Sequence, residues 1–268
     1  MVIEDVVNKQ QLVSLFDFEN REKLFSSVDS RIKFCLLTLS QKPTIKTDFI
    51  FFATNVGQLR NSQRLFHLTK SEISRFNPNT KTMPIFRTSA DAYLVSKIYE
   101  KLPILIDEEK EENIWQIDLL RMFDMANDSN LFSTEQKESY LPLYESKMIS
   151  QYDHRYANVI FNPENKFRPG QPEKISIFEH KDLNFSPKSH YFVQKENIDN
   201  ILSKYNFNIY WLITMKRIVG VTNERTLSAT ILPYSGASDS LVEIITPIEG
   251  RALGSACQII KAIIFDYI

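Results

Sequence analysis

The chain has 268 residues, 43% of them hydrophobic and 12% aromatic, enough to bury a core in one large or two small domains. With 32 Lys and Arg against 33 Asp and Glu, the net charge near −1 excludes a uniformly basic nucleic-acid binder, so any DNA-binding surface must be a local patch. No run approaches the ~18 apolar residues of a membrane span, Glu4, Asp5 and Lys9 break any secretory apolar region, and six glycines speak against a Gly-rich nucleotide-binding scaffold.

Val2, Ile3, Val6 and Val7 repeat at helical spacing and predict an amphipathic opening helix with no N-cap residue ahead of it. Three apolar runs follow, LVSLFDF at 12–18, IKFCLLTL at 32–39 and DFIFFAT at 48–54, which read as strands needing cover on both faces. Thr69 followed by Glu72 is a capping box for a short helix, TKSEISRF, stopped at Asn77-Pro78. Ser89 is the expected cap of a longer helix with Ala92, Val95, Ile98, Tyr99 and Leu102 on one face. The acidic run DEEKEEN at 107–113 reads as a solvated loop at a domain boundary, and IWQIDLLRMF after it as a strand.

Beyond residue 134 short strands alternate with polar loops: YLPLYE, ANVIF, HYFV. The stretch NPENKFRPGQPEK, starting at Asn162, reads as a surface loop, and ENIDNILSKY as a helix. NIYWLITMKRIVG and RTLSATILP predict an antiparallel pair. The final LGSACQIIKAIIFDYI predicts an uncapped apolar helix, so both ends read as cuts through structure. Cys35 and Cys257 lie in apolar runs where a thiol acts as a small hydrophobe, the usage expected of a reducing cytoplasm.

Two segments could carry chemistry. PLYESKMISQYDHRYANV, residues 142–159, sets Tyr144, Lys147, Tyr152, His154 and Arg155 close together, and interleaved aromatic and basic side chains suit a phosphate backbone. MKRIVGVTNERTLSATILP, residues 215–233, places Lys216, Arg217 and Arg225 near Thr222, Asn223 and Thr226, a hairpin able to grip a phosphate or read a base edge, and equally the charge of an ordinary surface turn. Glu145-Ser146-Lys147 also fits the E-x-K element of a Mg-dependent nuclease, with Asp124 or Asp128 as the upstream carboxylate such an enzyme needs. No G-x-G-x-x-G, P-loop or zinc-spaced Cys/His set is present, and Asn77-Pro78-Asn79 and Asn162-Pro163-Glu164 both fail the D/N-P-P-Y/F element of adenine methyl transfer.

DFENREKLFSSVDSRIKFCLLTL at 17–39 resembles the segment that follows the catalytic motifs in N6-adenine DNA methyltransferases of single-chain type II restriction-modification and related phage-defence systems. The likeness continues in order through FNPNTKTMPIFRTSADAYLVSKIYEKLPILI, MFDMANDSNLF, LPLYESKMISQYDHRYA and NERTLSATILP. It implies a mixed α/β (α+β) chain: the last antiparallel strands of a class I methyltransferase sheet at 1–55, a helical connector at 56–113, and part of a DNA target-recognition region at 114–268. It further implies double-stranded DNA as partner, with Lys147, Tyr152, His154, Arg155, Lys216, Arg217, Arg225 and Thr226 as candidate contacts. In this family the S-adenosylmethionine site and N-P-P-Y element precede the segment matched here. The chain alone is therefore expected to lack cofactor and catalytic residues and to be inactive as a methyltransferase. The chain is expected to be either a split product partnered by a separately encoded N-terminal methyltransferase half or a truncated remnant, with a free-standing DNA-binding specificity module the alternative, and no membrane association is expected.

Overall fold

The structure, a computed structural model, describes residues 2–246 except 80, 81, 83, 84, 103, 105, 109, 112, 115, 166–169, 206, 208, 209 and 221–226. The chain is mixed α+β and divides into two units, Met1–Trp115 and Gln116–Ile268. The segment 56–113, expected as a separate connector, is built into the first unit. The predicted C-terminal helix, Cys257, Arg225 and Thr226 lie outside the described residues.

In the first unit the described elements are α1 (Val2–Asn8), β1 (Leu12–Glu19), β2 (Lys33–Leu39), β3 (Lys46–Ala53), β4 (Phe66–Thr69), α2 (Lys70–Phe76) and α3 (Ser89–Lys101). The sheet order is β2-β1-β3-β4. β2 turns back antiparallel along one side of β1, and the chain then crosses to lay β3 parallel on the other side, pairing Leu15 with Phe49. The polar connection between β1 and β2 is held by the buried Asn20 amide, which donates to the Phe25 and Val28 carbonyls at 3.0 Å each.

Alternation along β3 sends Phe49 and Phe51 to one face, where their rings stack with Phe66 at centroid distances of 5.5–6.1 Å. Ile73 and Phe76 of α2 and Ala92 and Val95 of α3 close over them. Each fully buried Phe contributes about 1.5–3 kcal/mol, which is why the helices of 56–113 belong to this unit. The Thr69–Glu72 capping box forms as predicted, but α3 is capped by Thr88, whose hydroxyl accepts the Asp91 N–H at 3.1 Å, and Ser89 is its first helical residue. Leu102, expected on the buried face of that helix, is exposed.

The expectation that all three strands are covered on both faces fails at β2. Leu36, Leu37 and Leu39 are 51%, 56% and 51% exposed, and because neighbouring strand residues face opposite ways, both faces of this edge are open except at Phe34, which stacks on Phe18 at 5.1 Å. Cys35, expected as a small buried hydrophobe, is exposed for the same reason. Within the acidic run, Asp107 is buried and paired with Lys110 at 2.8 Å instead of solvated.

The second unit contains β5 (Asp118–Leu120), β6 (Phe132–Ser133), β7 (Tyr140–Tyr144), β8 (Ala157–Phe161), β9 (Gly170–Lys174), α4 (Ile177–Lys181), β10 (Phe192–Gln194), α5 (Lys195–Leu202), β11 (Trp211–Lys216), β12 (Ala229–Pro233), β13 (Gly236–Ala237) and β14 (Leu241–Ile245). Among the described residues they form sheets β13-β7-β10-β6 and β12-β11-β14-β5 and a ribbon of β8 with β9. One core joins them, with Phe123, Leu143, Met148, Ile149, Ile198 and Leu212 almost fully enclosed. The antiparallel β11–β12 pair is as predicted. The Pro- and Gly-rich stretch from Asn162 is not all loop: its second half is β9, an edge strand in which Pro172 is tolerated opposite Val159. Of IWQIDLLRMF only Asp118–Leu120 is strand. No helix among the described residues is long and apolar enough to cross a membrane.

Candidate nucleic-acid interface

The first basic segment follows β7. Tyr144 closes that strand as a core residue, and burial pushes its hydroxyl up to about 12, so it is not a surface contact. Met148 and Ile149 are fully buried and anchor the turn, while the Ser146 N–H donates to Ser240 Oγ at 2.9 Å. Lys147 Nζ lies 2.8 Å from Glu145 Oε2 and donates to the Gly170 carbonyl at 3.1 Å, so its charge is already matched. A Cβ at Gly170 would sit 3.2 Å from Lys147 Nζ and 3.3 Å from Val159 Cγ1, a close fit at the start of β9.

Tyr152 is 59% exposed and held at φ 65°, a left-handed conformation unusual for a bulky residue. Two bonds hold it there: its N–H donates to the Ala229 carbonyl at 3.0 Å, and the Ala229 N–H donates to Gln151 Oε1 at 2.9 Å. His154 is half-buried, and burial, reinforced by the Arg155 charge, holds its imidazole below the usual value; Asp153 opposes this. At neutral pH it is an uncharged hydrogen-bonding group. The Arg155 guanidinium donates to the carbonyls of Asp182 and His180 at 2.9 and 3.0 Å, and its backbone N–H to Asp153 Oδ1 at 2.7 Å. It thus fastens the end of α4, and its other N–H groups have no partner among the described residues.

The second basic segment enters at the end of β11. Lys216 is half-buried and its ammonium is pushed below the usual value by burial. Its Nζ lies 6.0 Å from the Tyr156 ring centroid, and Lys174 Nζ, from β9, lies 5.5 Å from the same centroid. The Arg217 N–H donates to the Ser240 carbonyl at 3.0 Å, and its guanidinium lies 3.9 Å from the Asp239 carboxylate.

Two segments some 60 residues apart thus meet in the second unit, joined at Tyr152–Ala229, Gln151–Ala229 and Tyr156–Lys216. Sequence reasoning missed Tyr156 and Lys174; the latter lies in a stretch whose Pro and Gly content hides its strand character. The junction of the two segments offers cations, tyrosines and hydrogen-bond donors, the groups that meet phosphate oxygens.

The E-x-K residues bond to each other, whereas Asp124 and Asp128 serve their own turn: Asp124 Oδ1 accepts the Ala126 and Asn127 N–H groups at 3.0 Å each, and Asp128 accepts the Asp124 N–H at 2.8 Å. No group of three or more His, Cys, Asp or Glu able to hold a metal occurs among the described residues. Comparison of the chain with protein-family models and with curated proteins gives no match.

Proposed function

We propose that this chain is the DNA-recognition part of a site-specific adenine-N6 DNA methyltransferase of the restriction-modification kind. In this reading, polypeptide outside it contributes the S-adenosylmethionine site and the N-P-P-Y element. The observation that carries the DNA reading is the convergence of the 142–159 and 215–233 segments in the second unit, with Lys174 and Lys216 directed at a single tyrosine. The methyltransferase reading rests on the ordered resemblance of five segments, in which β1 and β2 correspond to the last antiparallel strands of the methyltransferase sheet. It is supported by the open apolar edge of β2, whose unpaired backbone groups and exposed leucines suit a further strand.

The two concavities beside α2 do not suit S-adenosylmethionine. The narrow cleft lined by Val7, Leu12, Thr47 and Ile73 has a volume of about 10 Å³, room for a water. The open concavity beside it, lined by Gln10, Ile45, Thr69, Lys70, Ser71 and Ser74, offers no carboxylate for ribose hydroxyls or an ammonium group. No step of methyl transfer is assigned to this chain.

The test has two stages. Fluorescence anisotropy with a labelled duplex should show binding that weakens steeply with salt; absence of binding would overturn the DNA reading. Mixing the chain with the separately encoded polypeptide that carries the cofactor and N-P-P-Y motifs should then yield labelled methyl transfer to adenine. DNA binding without that gain would leave a free-standing specificity module, and adenine methylation by this chain unaided would overturn the division of labour.

A further inference from the structure

We infer that Lys174 and Lys216, both directed at the Tyr156 ring, form a clamp for the phosphodiester backbone of double-stranded DNA. This rests on the DNA-binding reading above and adds to it the residues that take the charge. The three groups come from three places in the chain: Tyr156 just before β8, Lys174 at the end of β9 and Lys216 at the end of β11. Their ammonium groups lie 5.5 and 6.0 Å from one ring centroid. The ring's negative face attracts each cation but does not neutralise either.

The contrast with neighbouring cations is decisive. Lys147 is matched by Glu145, Arg217 by Asp239 and Lys195 by Asp199, whereas neither Lys174 nor Lys216 has a carboxylate partner among the described residues. Lys216 is half-buried, so its charge lacks full hydration, and an anion reaching it would restore the lost solvation while the exposed Lys174 adds a second charge at the same tyrosine. The Tyr156 hydroxyl has no hydrogen-bond partner among the described residues and can donate to a phosphate oxygen.

A chain-like anion fits better than a small one. The Lys216 N–H donates to the Ser228 carbonyl at 2.8 Å, and the next residue, Ala229, accepts the N–H of the exposed Tyr152 at 3.0 Å. The backbone thus ties the strand that carries Lys216 to the turn that carries Tyr152, and a phosphodiester backbone, unlike an isolated phosphate, can meet groups at separate points.

The test measures affinity of the whole chain for a fluorescein-labelled duplex of mixed sequence between about 50 and 200 mM salt. Lys174→Gln should lower the slope of log affinity against log salt by about 1, Lys174→Gln with Lys216→Gln by about 2, and Lys174→Arg should keep the wild-type slope. Lys174 is exposed, so its single variant decides the matter even where Lys216→Gln melts early by circular dichroism. Wild-type binding with an unchanged slope in Lys174→Gln would overturn the clamp and leave the interface reading standing. A wild-type chain that binds no duplex would overturn both.

Discussion

Glu243 gives the sharpest prediction about the second unit. It sits in the middle of β14, between Thr214 of β11 and Leu120 of β5, with no exposed surface. Oε1 accepts the Thr214 hydroxyl at 3.1 Å, Oε2 has no hydrogen-bond partner, and no cation pairs with the carboxyl among the described residues. Burial pushes its pKa from 4.5 up to about 8, only partly offset by the Thr214 hydroxyl and nearby N–H groups. The folded chain therefore keeps a proton that the unfolded chain releases above about pH 4.5. The resulting contribution is fully present below the unfolded pKa and falls by about 1.4 kcal/mol per pH unit until the folded group ionises near pH 8. Glu243→Gln keeps the shape and removes the titration. The stability of the variant relative to wild type should rise by about 3 kcal/mol between roughly pH 5 and pH 7.5. Urea unfolding followed by the fluorescence of Trp211, on the adjacent strand β11, in a Trp115→Phe background reads this unit directly. Histidines titrating in the same range cancel in the difference. A difference that stays flat across that range would mean that water or a cation reaches the carboxyl, and the reasoning would fail.

Gly236→Ala should destabilise the same unit by about 1–3 kcal/mol in urea unfolding, because a Cβ there would come within 2.6 Å of Val193 Cγ1 and 2.9 Å of Leu143 Cδ1 in a closed core; an unchanged midpoint would show that this core yields. Cys35, exposed on the open edge strand, should react with a thiol reagent in the native chain nearly as fast as in urea, and binding of the proposed methyltransferase part should slow it; native protection without that partner would show the edge already covered.

These predictions separate two kinds of information. Local signals were legible in the amino-acid order. The Thr69–Glu72 capping box, the strands at 12–18 and 157–161 and the antiparallel partnership of 211–216 with 229–233 follow from alternation, caps and turn residues within a few positions of each other. Where two neighbouring residues can do the same job, the choice falls to their partners: Thr88 and Ser89 are both cap formers, and Thr88 is the one that closes a reciprocal capping box with Asp91.

Exposure and convergence were decided by tertiary structure. IKFCLLTL reads as core because its side chains are apolar, yet apolar composition reports only a preference for extended structure, and position at the end of the sheet order leaves β2 open. Glu243 looks like any strand glutamate until strands on both sides enclose it. Lys174, Tyr156 and Lys216 carry no mutual signal in the sequence, since their meeting depends on the register of β8 with β9 and the placement of β11. A chain's short-range preferences are set by neighbours a few bonds away, whereas burial, charge neutralisation and the assembly of a binding surface depend on which distant segments fold against one another.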